Sequence, residues 1–515
     1  MKDCLLFRVV VCVSFGLANY GSCPLASSQI VTDVIAFSGD PVPDGNGVLS
    51  SFAIPVLNDS GQVAFTASLA ESVGVNNNNA ILLSNVAGDL VQIGRSGDTV
   101  PSGDNVFSGF ASPALNDSGD LAFRGIIGGA SGVYLGREDN SLTRIIRFGD
   151  AEPGGNSTIG IVYTPALNSA GQTAFFGTPS VFRGNRFHLL SDRNANVVPV
   201  VREGDPAFND DGTFVDLSLF PDQFDPAIND SGQVAFSAVL ADVSGGGPFG
   251  AIGVFIGDGS GTPSQVALTG EIVPDGDGVF FSFEQPALND LGEVAFVGDV
   301  RDTSAFSGVF HADENSNVTQ IARVGEAVPD GNGTFSGFSR EISLNDAGQA
   351  LFFGFAENTA GIRQSNGLYI GDERSDVTQI ARAGTTVPSG VGVFFDFLNP
   401  ALNENGQAAF KGIVSNIEIG DESGIYLYDD ELGLTEVARV GDSFLGSTII
   451  NLDFSGSSLN LGNERSGLND TGQVAYRFTL ADGRGGIAIA SAVPEPNSRA
   501  VGVLASGLLL MRRRR

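Results

Sequence analysis

The fold of this chain is decided by an eight-residue stretch, Asn229-Asp230-Ser231-Gly232-Gln233-Val234-Ala235-Phe236. Asn and Asp side chains bond readily to nearby backbone amides, and glycine adopts the positive φ that a tight turn demands. The residues after the glycine are small and large apolar types, which suit a short buried strand. The stretch therefore predicts a hairpin turn that leads directly into a core strand.

The same phrase recurs along nearly the whole chain, with 52 to 66 residues between successive asparagines. Its turn asparagines and glycines pair as Asn58 and Gly61, Asn116 and Gly119, Asn168 and Gly171, Asn229 and Gly232, Asn289 and Gly292, Asn345 and Gly348, Asn403 and Gly406, and Asn469 and Gly472. Repeat six has Leu351 in place of alanine, and repeat eight has Tyr476 in place of phenylalanine. Such recurrence is typical of architectures that stack one supersecondary unit many times.

Each repeat contains two further short strand patterns. Examples are Gly367 to Gly371, with the sequence GLYIG, and Val377 to Arg382, with the sequence VTQIAR. No segment shows a sustained helical period, so we expect about four strands in each repeat of about 58 residues. Four-stranded units in this number are typical of a β-propeller. The predicted fold is an all-β, eight-bladed β-propeller, and a β-solenoid is the alternative.

The phase of the repeats predicts how the ring closes. The pattern starts at Gln29 with the last strand of a unit and ends near Ala490 with the third strand of a unit. The N-terminal strand can therefore complete the final blade and remove its open edge.

The repeated phrase resembles the tandem NxxGxxAF repeat family of exported proteins, and the resemblance covers nearly the whole chain between the two ends. It implies export and, in many members, a C-terminal anchor segment of which PEP-CTERM is one kind. It implies no defined activity.

Residues 1–28 have the pattern of a secretory signal peptide. Lys2 and Arg8 flank a short basic start, an apolar run follows to about Ala18, and a cut before Gln29 fits the small residues Ala26 and Ser28. A lipoprotein signal using Cys23 is the alternative. Since all three cysteines lie within the first 23 residues, the mature chain, residues 29–493 for the propeller, would have no thiol.

The C-terminal segment, residues 494–515, resembles the PEP-CTERM sorting signal, which exosortase-type proteases process. Its residues are Pro494, Glu495 and Pro496, then an apolar run, then Arg512, Arg513, Arg514 and Arg515. The apolar run has about 12 residues, whereas a stable span needs about 20, and the terminal arginines would stay in the cytoplasm. The segment predicts a transient inner-membrane contact followed by cleavage and a cell-surface or extracellular location. A permanent weak anchor is the alternative.

Charge restricts the partners. The formal net charge is −32, and such a surface repels phosphate backbones, so nucleic acid is not expected as a partner. Extracellular polysaccharide and surface proteins remain as possible partners.

A charged pattern also recurs at the end of the fourth strand of most repeats. The arginines are Arg95, Arg147, Arg202, Arg323, Arg382 and Arg439, and the acids three residues later are Asp98, Asp150, Asp205, Glu326 and Asp442. One interpretation is a charged ring that binds a cation or a polyanionic sugar. The other, which we favour, is a salt bridge between blades, because a binding site usually breaks the symmetry of a repeat.

Nothing in the sequence predicts catalytic residues or metal ligands. Asp-Gly loops such as Asp44 to Gly47 resemble calcium loops faintly, but turn chemistry explains them, and Ca²⁺ is the one cofactor considered. His188 and His311 have no ligand partner at short spacing. The predicted function is a non-catalytic binding or structural role at the cell surface or in the matrix, linked to exopolysaccharide or biofilm. The alternative is an extracellular propeller hydrolase or lyase that acts on polysaccharide.

Overall fold

The computed structural model describes residues 9–10, 28–74, 78–101, 105–180, 185–208, 212–217, 226–241, 243, 250–359, 362–416, 420–456 and 466–494. Within these ranges the regular structure consists of β-strands, and they form eight separate antiparallel sheets. Each sheet is one blade, and its strand positions are called A to D in chain order, from the central channel to the rim. The eight-bladed β-propeller predicted from the sequence is confirmed.

Strand A is interrupted in several blades, so that two short strands share its position. The strands of blades 1 to 4 are β3 (Val48–Phe52), β4 (Val56–Leu57), β5 (Val63–Ala70), β6 (Asn79–Ser84) and β7 (Leu90–Arg95); β8 (Gly109–Leu115), β9 (Leu121–Ile127), β10 (Ala130–Gly136) and β11 (Leu142–Arg147); β12 (Ile159–Val162), β13 (Ala166–Leu167), β14 (Thr173–Pro179), β15 (Phe187–Ser191) and β16 (Val197–Arg202); and β17 (Thr213–Asp216), β18 (Ala227–Ile228), β19 (Val234–Ala241), β20 (Ala251–Gly257) and β21 (Ser264–Leu268).

The remaining blades continue the same order. Their strands are β22 (Val279–Phe283), β23 (Ala287–Leu288), β24 (Val294–Arg301), β25 (Ser307–Ala312) and β26 (Val318–Arg323); β27 (Thr334–Leu344), β28 (Ala350–Thr359), β29 (Ile362–Gly371) and β30 (Val377–Arg382); β31 (Val393–Leu402), β32 (Ala408–Asn416), β33 (Gly420–Asp429) and β34 (Gly433–Arg439); and β35 (Ser443–Phe444), β36 (Ser447–Phe454), β37 (Gln473–Leu480) and β38 (Gly485–Pro494), joined by β1 (Val9–Val10) and β2 (Ser28–Phe37).

The ring is closed by the N-terminal strand, as the phase of the repeats predicted. Strand β2 pairs antiparallel with β38, from Ser28 opposite Pro494 to Phe37 opposite Gly486, and so forms strand D of blade 8. Strand β1 pairs with the outer side of β2. The first and last parts of the described chain thus share one sheet, which excludes the open β-solenoid.

The core lies between blades rather than within one. Phe65 and Leu49 of blade 1, for example, form a buried cluster with Ala475 and Ile487 of blade 8. Each cluster needs side chains from two neighbouring blades, because a single sheet cannot cover its own faces. The ring therefore buries apolar surface only when every blade has both partners.

Glycine permits the close packing of aromatic rings inside a blade. A Cβ atom at Gly412 would lie 2.8 Å from ring atoms of both Phe394 and Tyr426. Phe394 and Tyr426 meet edge to face with ring centroids 4.9 Å apart, a geometry that contributes roughly 1 kcal/mol beyond burial. The same arrangement recurs in other blades, for instance between Phe280 and Phe310.

Both chain ends of the propeller meet the same face. Gln473, which follows the turn of repeat eight, pairs with Ser491, and three residues later Pro494 pairs with Ser28. We call the face that carries the turns between strands A and B the turn face. Strand β2 begins there and strand β38 ends there.

Candidate functional site at the central channel

The repeated phrase forms a hairpin turn between strands A and B in every blade. In blade 1 the Gly61 N–H donates to the Asn58 carbonyl, and the Asn58 N–H donates to the Gln62 carbonyl. Gly61 has φ of +77°, so this is a type I turn closed by a left-handed glycine. The other seven phrase glycines also have positive φ. A side chain at this position would be strained in each blade.

The turn asparagines form a closed ring around the channel. Each side-chain amide donates to the main-chain carbonyl of the asparagine in the next blade, over 2.8 to 3.1 Å, and Asn469 donates to Asn58 to complete the circle. Each amide oxygen accepts the N–H of the residue four positions later. All eight asparagines are buried. Their role in the described structure is therefore to join consecutive blades.

Seven carboxylates form a second ring beside the first. They are Asp59, Asp117, Asp230, Asp290, Asp346, Glu404 and Asp470, and Ser169 takes the eighth place. Each of the seven accepts the backbone N–H of the residue at the same position in the preceding blade, over 2.6 to 2.9 Å. The two rings line a cavity of about 280 Å³ on the axis.

Partial burial raises the pKa of three of these carboxylates, Asp59, Asp117 and Asp290, and their acidic neighbours raise it further. The backbone N–H groups that donate to these carboxylates lower the pKa in turn, but they offset only part of the effect of burial and repulsion. Among the described residues, no group of three or more His, Cys, Asp or Glu side chains is arranged to hold a metal ion.

Five of the six recurrent arginines, namely Arg95, Arg202, Arg323, Arg382 and Arg439, bond to the loop that links the preceding blade to strand A of their own blade. The Arg382 guanidinium, 3% exposed at the side chain, donates to both carboxylate oxygens of Asp330 at 2.8 and 2.9 Å and to the Asn332 carbonyl. Arg95 makes the same contacts with Asp44 and the Asn46 carbonyl. These contacts fix the loop between two blades, which agrees with a structural salt bridge more than with a binding ring. They also give the Asp-Gly loops a role as arginine acceptors.

The acids three residues after the arginines have a different partner. Asp98, for example, accepts the backbone N–H of Arg95 at 2.8 Å and closes the turn after strand D. Six further acids do the same: Asp40, Asp150, Asp205, Glu271, Glu326 and Asp442. The charged pattern therefore consists of a backbone cap within a blade and a guanidinium clamp on the loop between blades, and in blade 2 Arg147 also lies 3.9 Å from its capping acid Asp150.

The two histidines lie in different surroundings. His188 is buried against the rings of Phe176 and Phe236, with both centroids at 5.1 Å, and burial lowers its pKa to about 3. His311 is also buried, and its Nε2 atom lies 3.5 Å from a carboxylate oxygen of Glu293. His188 is therefore a neutral packing residue at ordinary pH.

Sequence reasoning missed the position directly after the phrase. Its occupants are Thr66, Arg124, Phe176, Ser237, Val297, Phe353, Lys411 and Arg477. Lys411 and Arg477 both bond to Asp453 of strand β36. The signal was present in the sequence, because this position varies in charge among repeats that otherwise agree.

The two predicted address segments, which are the signal peptide and the C-terminal sorting signal, lie mostly outside the described residues. Pro494 ends strand β38, whereas Glu495, Pro496 and Arg512 to Arg515 fall outside, as does the signal segment apart from residues 9–10 and Ser28. The described part of the chain contains no helix that is long and apolar enough to cross a membrane.

Comparisons with solved structures give only distant likenesses. An acylaminoacyl peptidase from Pyrococcus horikoshii and a puromycin hydrolase are each 12% identical with a TM-score of 0.40. The matches cover 83% and 87% of this chain, and 57% and 61% of those chains. The WD40 domain of SCAP from fission yeast is 10% identical with a TM-score of 0.39, over 91% of this chain and 98% of that one. At these TM-scores the likenesses support no argument about this protein.

No curated protein matches the chain. One family does, and it is described as a family of unknown function, DUF7453, with matches over residues 24–220, 95–273 and 191–500. The last of these matches alone spans more than half of the sequence. The chain therefore belongs to the family of unknown function DUF7453.

Proposed function

We propose that this protein is an exported, non-catalytic propeller that acts at the cell surface or in the extracellular matrix, where it binds exopolysaccharide or a surface protein. The observation that carries the proposal is the joining of both predicted address segments to one point of the fold. Ser28, at the end of the predicted signal peptide, pairs with Pro494, the first residue of the predicted sorting signal.

This arrangement suits a two-step export. Cleavage before Gln29 removes only the first residue of strand β2, so Gln29 to Phe37 stay paired with β38. The C-terminal segment then leaves the propeller at the turn face, so it can hold the folded body at the membrane without opening the ring. Cleavage near Pro494 to Pro496 by an exosortase-type protease would release the body intact.

The channel supports a binding role better than a catalytic one. The repeated groups line the mouth of the channel on the turn face, which we call the turn mouth, and they bond to neighbouring blades. A group used in this way is not free to act as an acid, base or nucleophile. A pair of acids for sugar hydrolysis needs a defined separation on either side of the scissile bond, and the turn mouth offers an even ring instead.

The test is fractionation of a host that has an exosortase, with a tag inserted in the exposed loop at Asn140. The full chain is expressed with and without the host exosortase gene, and the intact mass of the tagged product is measured. We expect surface or extracellular protein that lacks both predicted segments, and membrane-held protein with its C-terminus intact in the deletion strain. Uncut protein in the cytoplasm of both strains, or turnover of host polysaccharide by the purified product, would contradict the proposal.

A further inference from the structure

The seam between blades 7 and 8 differs from the other seven at the channel wall. In blade 7 the position after the phrase is Lys411, which is the one lysine in the sequence besides Lys2. Its ammonium donates to Asp453 of blade 8 at 3.1 Å. Asp453 lies on strand A of that blade, the strand that lines the channel.

A second cation shares the same carboxylate. Arg477 donates to Asp453 through Nε at 3.1 Å and through Nη2, and its Nη1 donates to the Phe52 carbonyl of blade 1. Asn451 donates to Asp453 at 2.9 Å as well. Two cations therefore face one anion, and these cations lower the pKa of Asp453, so it is ionised at neutral pH. The seam carries an excess of one positive charge in a chain of net charge −32.

The three charged side chains of the seam are partly buried. Their exposed fractions are 13% for Lys411, 20% for Asp453 and 31% for Arg477. Lys411 bonds to Asp453 through one of its three protons, and an ammonium can donate three hydrogen bonds. A charged donor in partial shelter attracts an anion more strongly than the same donor in open water.

The channel-lining strands of blades 7 and 8, β31 and β36, also expose apolar side chains. Leu398 lies opposite Lys411 in the sheet of blade 7 and is 42% exposed. Phe395 and Ile450 lie farther along the same two strands and are 61% and 53% exposed. The flat, carbon-bound face of a sugar ring can pack on an exposed aromatic or aliphatic surface of this kind.

We propose that this seam binds one carboxylate of an acidic sugar, with Lys411 and Arg477 as donors and the neighbouring apolar side chains as a platform for the ring. The excess of one charge matches a singly charged group, which a hexuronate provides. The inference gives a ligand class to the polysaccharide role proposed above, and it rests on that proposal for its biological setting. The contacts themselves require no export.

The test is calorimetric titration of the purified full chain with trigalacturonate and, as a neutral match, its fully methyl-esterified form. We expect the acid to bind and the ester to bind at least about tenfold more weakly, as loss of a charge-assisted hydrogen bond predicts. Equal binding of acid and ester, or binding of neither, would overturn the proposal. Because the titration is independent of location, it can fail while the export experiment succeeds, and the reverse also holds.

Two variants with opposite expected effects separate binding from structure. Lys411→Met removes a donor and should weaken binding by about tenfold or more. Asp453→Asn removes the competing carboxylate, and it should tighten binding because both cations are then unneutralised. Arg484→Gln removes an exposed cation elsewhere and should leave affinity unchanged. Equal losses in Lys411→Met and Arg484→Gln, or weaker binding in Asp453→Asn at unchanged melting temperature, would overturn the proposal. If a variant does not fold, the comparison of acid with ester decides.

Discussion

The turn mouth and the blade 7–8 seam are two regions of one channel that use charge in different ways. At the turn mouth, eight repeats present the same asparagine and seven present a carboxylate. The asparagine amides donate to the next blade, and the carboxylates accept a backbone N–H of the preceding blade. At the seam, one position that varies among the repeats places Lys411 and Arg477 around Asp453. The difference indicates that the repeated polar groups join the blades, and it is to the position that breaks the repeat that we assign a ligand.

If repeated contacts are structural, breaking one of the arginine clamps should have the largest effect. Arg382→Met leaves Asp330 without its cation and the Asn332 carbonyl without a donor. Arg382 is buried whereas Asp330 is 35% exposed, and loss of this charged bidentate contact together with the donor to the carbonyl should cost about 3 kcal/mol of unfolding free energy. Urea denaturation would measure this cost. In Arg484→Met, which breaks an exposed pair with Asp482, the loss should be much smaller; equal losses in both variants would contradict the structural role.

The asparagine ring should come second. Asn345→Ala removes the donor to the Asn403 carbonyl and the acceptor of the Gln349 N–H in a fully buried position. Unsatisfied buried groups of this kind cost about 2 kcal/mol. Asn405→Ala is a matched control in the next turn, since its side chain donates to Asp470 in an exposed position and should change stability by about 0.5 kcal/mol at most. Thermal denaturation of the two variants measures the difference. A lower stability of Asn405→Ala than of Asn345→Ala would contradict the role of the asparagine ring.

The seam should contribute little to stability. Lys411→Met leaves Asp453 bonded to Arg477 and Asn451, so we expect a loss of unfolding free energy below about 1 kcal/mol. The same denaturation series measures it. A loss as large as that of Arg382→Met would show that Lys411 is required for stability, and the contrast between the two regions would then not hold.

The smallest effect, with the opposite sign, is expected for Asp290→Asn. Burial and the neighbouring Asp230 and Asp346 raise the pKa of Asp290 above its ordinary value of 3.8. Because the folded protein then binds the proton more tightly than the unfolded chain, stability falls as pH rises from 3.8 through the folded pKa. The asparagine keeps an oxygen for the Asp230 N–H but has no charge, so stability at pH 7 should rise by about 0.5 kcal/mol. Unfolding measured from about pH 4 to pH 7 should be less pH-dependent in the variant; lower stability at pH 7 would refute this reading of the ring.

Much of the fold could be predicted from the sequence because its determinants are local. The hairpin at Asn58 follows from side-chain and glycine chemistry within five residues, and eight copies give the blade count. The closing strand followed from counting strands, since the repeats begin with strand D and end with strand C. The β-bulges that interrupt strand A, as between Leu49 and Ser51, have no comparable local signal.

The site was less predictable because its contacts join residues about one repeat apart. Nothing in the phrase alone shows that the Asn58 amide bonds to the Asn116 carbonyl, because this contact requires neighbouring turns to face one axis. The arginine pattern suggested a salt bridge between blades but did not show its acceptor, because the acid three residues later accepts a backbone N–H and the arginine bonds to the loop between two blades about 50 residues earlier. Asp453 belongs to no repeated motif, and only the fold brings it to Lys411.

The central claim, that eight blades form one ring closed by strand β2, is tested most directly by a cross-link across the closing pair. Cysteines at Val31 and Ser491, which are register partners, are introduced after Cys4, Cys12 and Cys23 are changed to serine. We predict a disulfide within each chain under mild oxidation, seen by intact mass and non-reducing electrophoresis, and much less of it for the diagonal pair Val31 and Ile489. Disulfides only between chains, or none in either pair, would contradict a closed ring.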